Sequence, residues 1–404
     1  MYKIYFVQYS YCMPVRNIIG ALALGNDFFD RHREISQFWN DLETDNLLLL
    51  APRRVGKTSI LRRMEETATD HDFQAIFLDV SDCADEQAFV RRLYGAVLET
   101  KLGDKLWERI KGSALGQTIG RVSKAGGAGF SIEFKSEAND WARMGEELAD
   151  ALQRLDGRWL IQIDELPVFV LKLLGQPAAQ QVARIREFLY WLRRLRLTFP
   201  NVRWMLTGSI GLDTVTARLN VSDAINDLRI VTVGAFSEST AHAFLTALAE
   251  AYHLDLPEDR RQRALTRIGW LAPYYIQLVF KQLRDQPEAD VDTAIDTLLR
   301  PEYKGHFDYW RQRLELELGQ PDAGQAGGLL NACARDPEGA TIATLSQVLS
   351  AAIADPSLRQ PHLRYLLDVL VTDGYLVEHE LRYRFRFALL REYWLRRILP
   401  WEGV

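Results

Sequence analysis

The sequence predicts an α/β fold: a parallel sheet with helices on both faces, followed by a helical domain and a C-terminal winged helix. Three observations carry this. Short apolar runs at 46–50 and 159–164 have the composition of strands buried on both faces. Helix-period segments separate these runs, which is the alternation of a parallel sheet. From about Ser237 the strand signal stops and helical periodicity takes over. The 404 residues suffice for about two to four domains at roughly 100–200 residues each.

Taken in order, the spacing of Phe29, Ile35, Phe38 and Leu42 predicts a helix over 28–42. It leads into the strand at 46–50, a tight turn and a helix over 58–67. Further strands are expected at 75–80, 159–164, 202–207 and 229–233, with helices at 88–98 and 183–197. Residues 111–135, rich in Gly, Ser and Lys, read as an insertion on the sheet's rim that ends in a small exposed strand at 130–134. It could be a partner-contact loop, but a mobile surface loop is the simpler reading. Helices at 239–252, 259–268 and 273–283 form the second domain. A Gly- and Gln-rich linker is expected at 318–328. Helices at 329–334, 342–351 and 361–373, then strands at 375–378 and 381–387, outline a winged helix. The expected division is a lead-in at 1–25, a sheet domain at 26–236, a helical lid at 237–317 and a winged helix at 318–404.

Composition narrows the function. The chain is 48% hydrophobic and 25% charged, which excludes wholesale disorder. A net charge of −5 means that any nucleic-acid contact must come from a local patch. Cys12, Cys83 and Cys333 are odd in number and far apart, so neither a disulfide framework nor a metal cluster is expected. No apolar run reaches the roughly 20 residues of a membrane span, and the apolar stretch at 17–24 lacks the order of a signal peptide. No membrane association is expected, and a cytoplasmic location is.

The chemistry starts at Ala51-Pro52-Arg53-Arg54-Val55-Gly56-Lys57-Thr58-Ser59, between a buried strand and a helix. Phosphate binding needs backbone N–H groups in a tight loop and a helix N-terminus facing the anion. It also needs a Lys for the outer phosphates and a hydroxyl for Mg²⁺. Gly56, Lys57 and Thr58 supply these in order. Arg53 and Arg54 lie in the loop, with side chains expected to point outward. The usual first Gly of the pattern is Ala51 here. The fold expected is therefore that of a P-loop NTPase.

Asp164, at the end of a buried strand, can complete the Mg²⁺ shell with Thr58. Glu165 after it can orient or deprotonate the attacking water, general-base work worth typically ~10²–10⁴ in rate. At the end of the fourth strand, Thr207 or Ser209 can sense the terminal phosphate, and the sequence does not choose between them. Arg184, Arg186, Arg193, Arg194 and Arg196 are candidates for a finger on a neighbour's phosphate. A solvated helix face accounts for them more simply.

These motifs resemble those of the AAA+-related STAND ATPases, above all the archaeal-type ATPase family. The entry segment Asp27-Phe-Phe-Asp-Arg31-His-Arg-Glu34, the loop, the Asp164-Glu165 pair, Thr207-Gly-Ser-Ile-Gly-Leu212 and Ala224-Ile-Asn-Asp-Leu228 carry the likeness. So do Gly269-Trp-Leu-Ala-Pro273-Tyr274-Tyr275, similar to the family's lid motif, and the segment 383–394, similar to the end of its winged helix. The likeness spans about residues 25–397. It implies a slow ATP-hydrolysing switch holding ATP or ADP with Mg²⁺ between sheet and lid, with Phe29 and Arg31 near the base and Pro273 against the adenine. It also implies a protein partner or effector, or self-association. Two departures are Ala51 and Ser209, the latter where many members carry Arg.

The alternative is a DNA-handling ATPase. Arg359, His362 and Arg364 fall on the third helix of the winged helix. Arg382, Arg384 and Arg386 alternate along one strand and so share a face that could sit on phosphates. Asp368, Asp373, Glu378 and Glu380 dilute that charge, and the family's winged helices often pack on the nucleotide domain instead. A scaffold with negligible turnover is disfavoured by the intact Glu165.

Overall fold

The computed structural model describes residues 15–100, 102–110, 119–124, 130–134, 140–174, 179–208 and 211–401. Five parallel strands form the main sheet: β1 (Asn46–Leu50), β2 (Phe73–Asp79), β5 (Arg158–Asp164), β6 (Val202–Gly208) and β7 (Leu228–Thr232). Their order is β2-β5-β6-β1-β7. Alternate side chains feed two cores. Leu47, Leu49, Leu160 and Met205 pack against the helices His32–Leu42 and Lys57–Thr67. Leu48, Ile161, Ile163, Trp204 and Leu206 pack against Glu86–Leu98, Trp141–Gln153, Leu166–Leu174 and Ala179–Thr198. Burial on both faces is why these strands read as continuous apolar runs.

Several expectations are corrected in detail. The first helix starts at His32, because Asp30 and Arg31 adopt left-handed φ values of 59° and 69°. Part of the expected rim loop is an antiparallel hairpin, β3 (Ile119–Lys124) with β4 (Phe130–Phe134); its other residues lie outside those described. The expected linker at 318–328 is mostly helix, within Asp322–Arg335. Glycines inside a helix cost about 1 kcal/mol each relative to alanine. Burial of Ala326, Leu329, Leu330 and Cys333 on one face offsets that.

Beyond β7, the helices Glu238–Ala251, Glu258–Ile268, Pro273–Asp285, Val291–Leu298 and Asp308–Leu318 follow one another. Ser237 and Asp290 start two of them by accepting a hydrogen bond from the backbone N–H three residues on. The C-terminal part comprises Asp322–Arg335, β8 (Ala340–Thr341), Ile342–Leu349, Pro356–Thr372, β9 (Leu376–His379) and β10 (Arg382–Phe385). Its strands pair antiparallel in the order β8-β10-β9. One hydrophobic cluster runs from β1 through the helical stretch into this part, joining Leu47 to Tyr275, Trp310, Tyr375 and Trp394. Among the described residues, no helix is long and apolar enough to cross a membrane. Cys83 and Cys333 are free and buried, and Cys12 lies outside the described residues.

The five arginines of helix Ala179–Thr198 hold structure together. Arg184 pairs with Glu86, Arg194 with Glu146 and Arg193 with Asp227. Arg186 reaches the Asn220 carbonyl at 3.5 Å. Buried Arg196 grips Asp227 with two bonds of 2.8 and 2.9 Å and also the Ala224 carbonyl, fixing the turn that enters β7. Breaking a buried pair leaves a charge uncompensated, so Arg196→Ala should cost about 3–5 kcal/mol of stability. Urea unfolding should read this as a lower midpoint, whereas Arg194→Ala, on the surface, should move it little.

Candidate functional site

The loop at 51–56 leaves β1 and enters the helix Lys57–Thr67. Gly56 takes φ 91°, a left-handed value that favours glycine, and so turns the chain into the helix. Ala51 has no such φ, and its side chain is buried in the core below the loop with Val55. That is why alanine serves where the pattern usually has glycine.

The sheet order places β6 between β1 and β5, so the loop and Asp164 are two strand spacings apart, roughly 10 Å. Thr58, in the first turn of its helix, closes the gap: its hydroxyl donates to Asp164 Oδ2 at 2.9 Å. Burial pushes the Asp164 carboxyl up, Lys57 pulls it down, and Glu165 raises it further. A hydroxyl and a carboxylate are hard oxygen donors of the kind Mg²⁺ takes, so Thr58 and Asp164 fit that ion. Among the described residues, no group of three His, Cys, Asp or Glu could hold a metal without other donors. A site here would therefore need phosphate or water oxygens, as is usual for Mg²⁺ beside a nucleotide.

Glu165 follows with φ 59°, unusual for a residue with a Cβ, and such strain concentrates at functional positions. Its N–H donates to Asp164 Oδ1 at 3.0 Å, and its side chain lines the cavity above the loop. Lys57 is 8% exposed and its ammonium rests on the Gly208 carbonyl at the end of β6. Thr207 is buried and its hydroxyl donates to the Leu49 carbonyl at 3.0 Å. To meet a phosphate it must release that carbonyl. Ser209 lies outside the described residues.

The cavity has a volume of about 270 Å³. Pro52, Arg53, Arg54, Val55, Gly56, Lys57, Thr58 and Ser59 form its floor. Phe29 and Arg31 line one side, with Phe29 packed on Phe244 at 4.9 Å between centroids. Arg31 is a strut. Its guanidinium bonds Glu34 and the Gly234 carbonyl and lies 4.6 Å over the Phe236 ring. Pro273, the first residue of its helix, lines the opposite side with Tyr274 and Gln277. The segment before Phe29 crosses between the two sides: Ile18 N donates to Gln277 Oε1 at 2.6 Å, and Ala23 N to Ser59 Oγ at 3.2 Å.

Arg53 and Arg54 do not point outward. Arg53 is 7% exposed and bonds the Tyr309 hydroxyl at 2.9 Å, while Arg54 stacks 4.0 Å over Tyr274. Tyr309 and Arg313 were not legible as site residues, because no motif marks them and only the tertiary fold brings them to the loop. Tyr274 lies in the lid motif, but only the fold brings it to Arg54. Gly374 brings the C-terminal part to the same loop. A Cβ built there would stand 3.0 Å from Pro52 Cβ.

The expected basic face on β10 does not form as one surface. Arg382 donates to the Gly339 carbonyl at 2.6 Å and Arg386 to the Val371 carbonyl at 2.9 Å, which leaves Arg384 as the exposed one of the three. On the helix Pro356–Thr372, Arg359 caps the Ile353 carbonyl and His362 pairs with Gln325, while Arg364 is exposed.

If Lys57 and Thr58 build a phosphate site, Lys57→Ala should weaken ATP binding by roughly 10- to 100-fold, the worth of a lost charge-assisted bond. Asp164→Ala should instead abolish the gain in affinity that Mg²⁺ gives. Calorimetry with and without Mg²⁺ separates the two effects.

No protein-family model and no curated protein matches the chain. Among solved structures it is similar to the Walker-type ATPase PABY2304 of Pyrococcus abyssi, at 18% identity and a TM-score of 0.61, over 93% of this chain and 99% of that one. It is also similar to the ORC2 protein of Aeropyrum pernix, solved as ADPNP–ADP complexes, at 14% identity and a TM-score of 0.52, over 90% and 93%. The chain has the P-loop NTPase fold.

Proposed function

We propose that the protein binds and hydrolyses ATP with Mg²⁺, and that the nucleotide state sets how the helical and C-terminal parts sit on the sheet, as in a STAND-type switch signalling to a partner protein. The observation that carries this is one cavity lined at once by the phosphate loop, the arm before it and the helix that starts at Pro273. Among the described residues, Arg31, Arg53, Arg54, Lys57 and Arg313 line it against Asp27 and Glu165, an excess of three positive charges (five cations, two carboxylates). Such a cavity suits a polyanion with an apolar end, and Phe29 and Pro273 offer the apolar surface for a base. The similar structures named as an ATPase and as ADPNP–ADP complexes agree with the reading.

In this mechanism Lys57 leaves the Gly208 carbonyl for the outer phosphates and offsets the charge that develops there. Thr58 and Asp164 would hold Mg²⁺, which supplies Lewis-acid neutralisation of the phosphates. Glu165, already turned into the cavity by its backbone, takes the proton of the attacking water. Of the two sensor candidates Thr207 is the one among the described residues, and it would sense a phosphate at the cost of its bond to Leu49. A DNA-handling ATPase has less support, since Arg382 and Arg386 are engaged on backbone carbonyls within the chain.

The test is Glu165→Gln, which keeps the shape and removes the base. Steady-state phosphate release should fall by about 10²–10⁴ while ATP affinity stays near that of the wild type. Turnover at the wild-type rate would assign water activation to another group.

A further inference from the structure

The phosphate-binding pattern does not explain why two arginines of the loop are held by tyrosines of the helical stretch. We propose that Tyr309 is a positioning residue of the nucleotide site. Its phenol oxygen holds Arg53 and Arg313 in place when no triphosphate is present, and a triphosphate takes Arg313 from it. This rests on the ATP reading above and deepens it.

The geometry converges on one atom. Tyr309 Oη accepts from Arg53 Nη1 at 2.9 Å and from Arg313 Nη1 at 2.5 Å. Arg54 adds a third guanidinium, 5.1 Å from the Tyr309 ring centroid and 4.0 Å from that of Tyr274. All five side chains line the same cavity as Gly56, Lys57 and Thr58. A phenol offers two lone pairs, and two guanidiniums fill them. The acceptor is neutral, whereas a phosphate oxygen is charged and makes bonds roughly twice as strong. A triphosphate that reaches Arg313 therefore outcompetes the phenol for it, and a diphosphate, one phosphoryl shorter and less charged, does not.

The exchange has a route outward. Tyr309 and Arg313 share the helix Asp308–Leu318 with Trp310. The Trp310 carbonyl accepts from the Tyr375 hydroxyl at 2.6 Å, and its ring meets Tyr375 at 4.6 Å and Phe387 at 5.8 Å. Moving Arg313 from the phenol to a phosphate thus acts on the helix to which the C-terminal part is bolted.

Calorimetry on the full chain tests this, titrating ADP and a non-hydrolysable ATP analogue, each with Mg²⁺, into wild type, Arg313→Gln and Tyr309→Phe. Arg313→Gln should lower analogue affinity by about 10-fold or more and leave ADP affinity within a few-fold. Tyr309→Phe keeps the ring under Arg54 but removes the competing acceptor. It should raise analogue affinity by roughly 2- to 10-fold with ADP unchanged. The ratio of the two affinities is the readout, and a general loss of structure would not move it in opposite directions in the two variants. An equal ratio in all three proteins overturns the proposal. Wild type that binds neither nucleotide would instead remove the ATP reading, a separate result.

Discussion

Positive charge crowded into one cavity is the constraint on which the rest of the site depends. Arg53, Arg54 and Lys57 leave a single short loop, and Arg313 faces them from another helix. Like charges at this range repel, and the partly desolvated surroundings strengthen the repulsion. The fold meets this with a carbonyl under Lys57, a phenol between Arg53 and Arg313, and an aromatic face under Arg54. An anion entering the cavity would relieve the repulsion, which is why this charge suits the phosphate role proposed above.

Three separate stretches of chain reach that loop, and each also touches another part of the molecule. The arm before Phe29 bonds Gln277 on one side and Ser59 on the other. The turn at Gly269 leads to Pro273 in the cavity, while Trp270 beside it packs on Phe387 of the C-terminal part at 5.6 Å. Gly374 lies against Pro52 because it has no side chain to keep them apart. A change in the loop therefore meets the helical and C-terminal parts directly, without a long relay of intermediate contacts. A ligand can shift the balance of two arrangements only if it binds them differently, and a terminal phosphate is the group that could do so here.

Much of this was legible in the sequence because the signals were local. Asn46–Leu50 reads as a buried strand from composition alone, and Gly56-Lys57-Thr58 at the start of a helix carries its chemistry in consecutive residues. What was not legible depends on tertiary partners. Helix Leu166–Leu174 is apolar nearly all round, so it shows no helical period. In helix Asp308–Leu318 charged residues interrupt the apolar spacing, and Trp310 and Leu314, four apart, mark its buried side. The glycines at 324, 327 and 328 suggested a linker because propensity outweighs packing when only the sequence is seen. Arg53 and Arg54 looked like exposed charges for the same reason: the tyrosines that hold them are more than 200 residues away.

The central claim is that nucleotide state moves the C-terminal part relative to the sheet. Pulsed electron–electron distance measurement tests it most directly, with spin labels at the exposed positions Asp70, beside the sheet, and His379, on β9. A Cys12→Ser background would leave the buried Cys83 and Cys333 as the native thiols. In Glu165→Gln, which should hold ATP uncleaved, the account predicts two distance populations whose ratio differs between ADP and ATP with Mg²⁺. One unchanged distribution in the nucleotide-free, ADP and ATP forms would contradict it and leave a rigid ATPase.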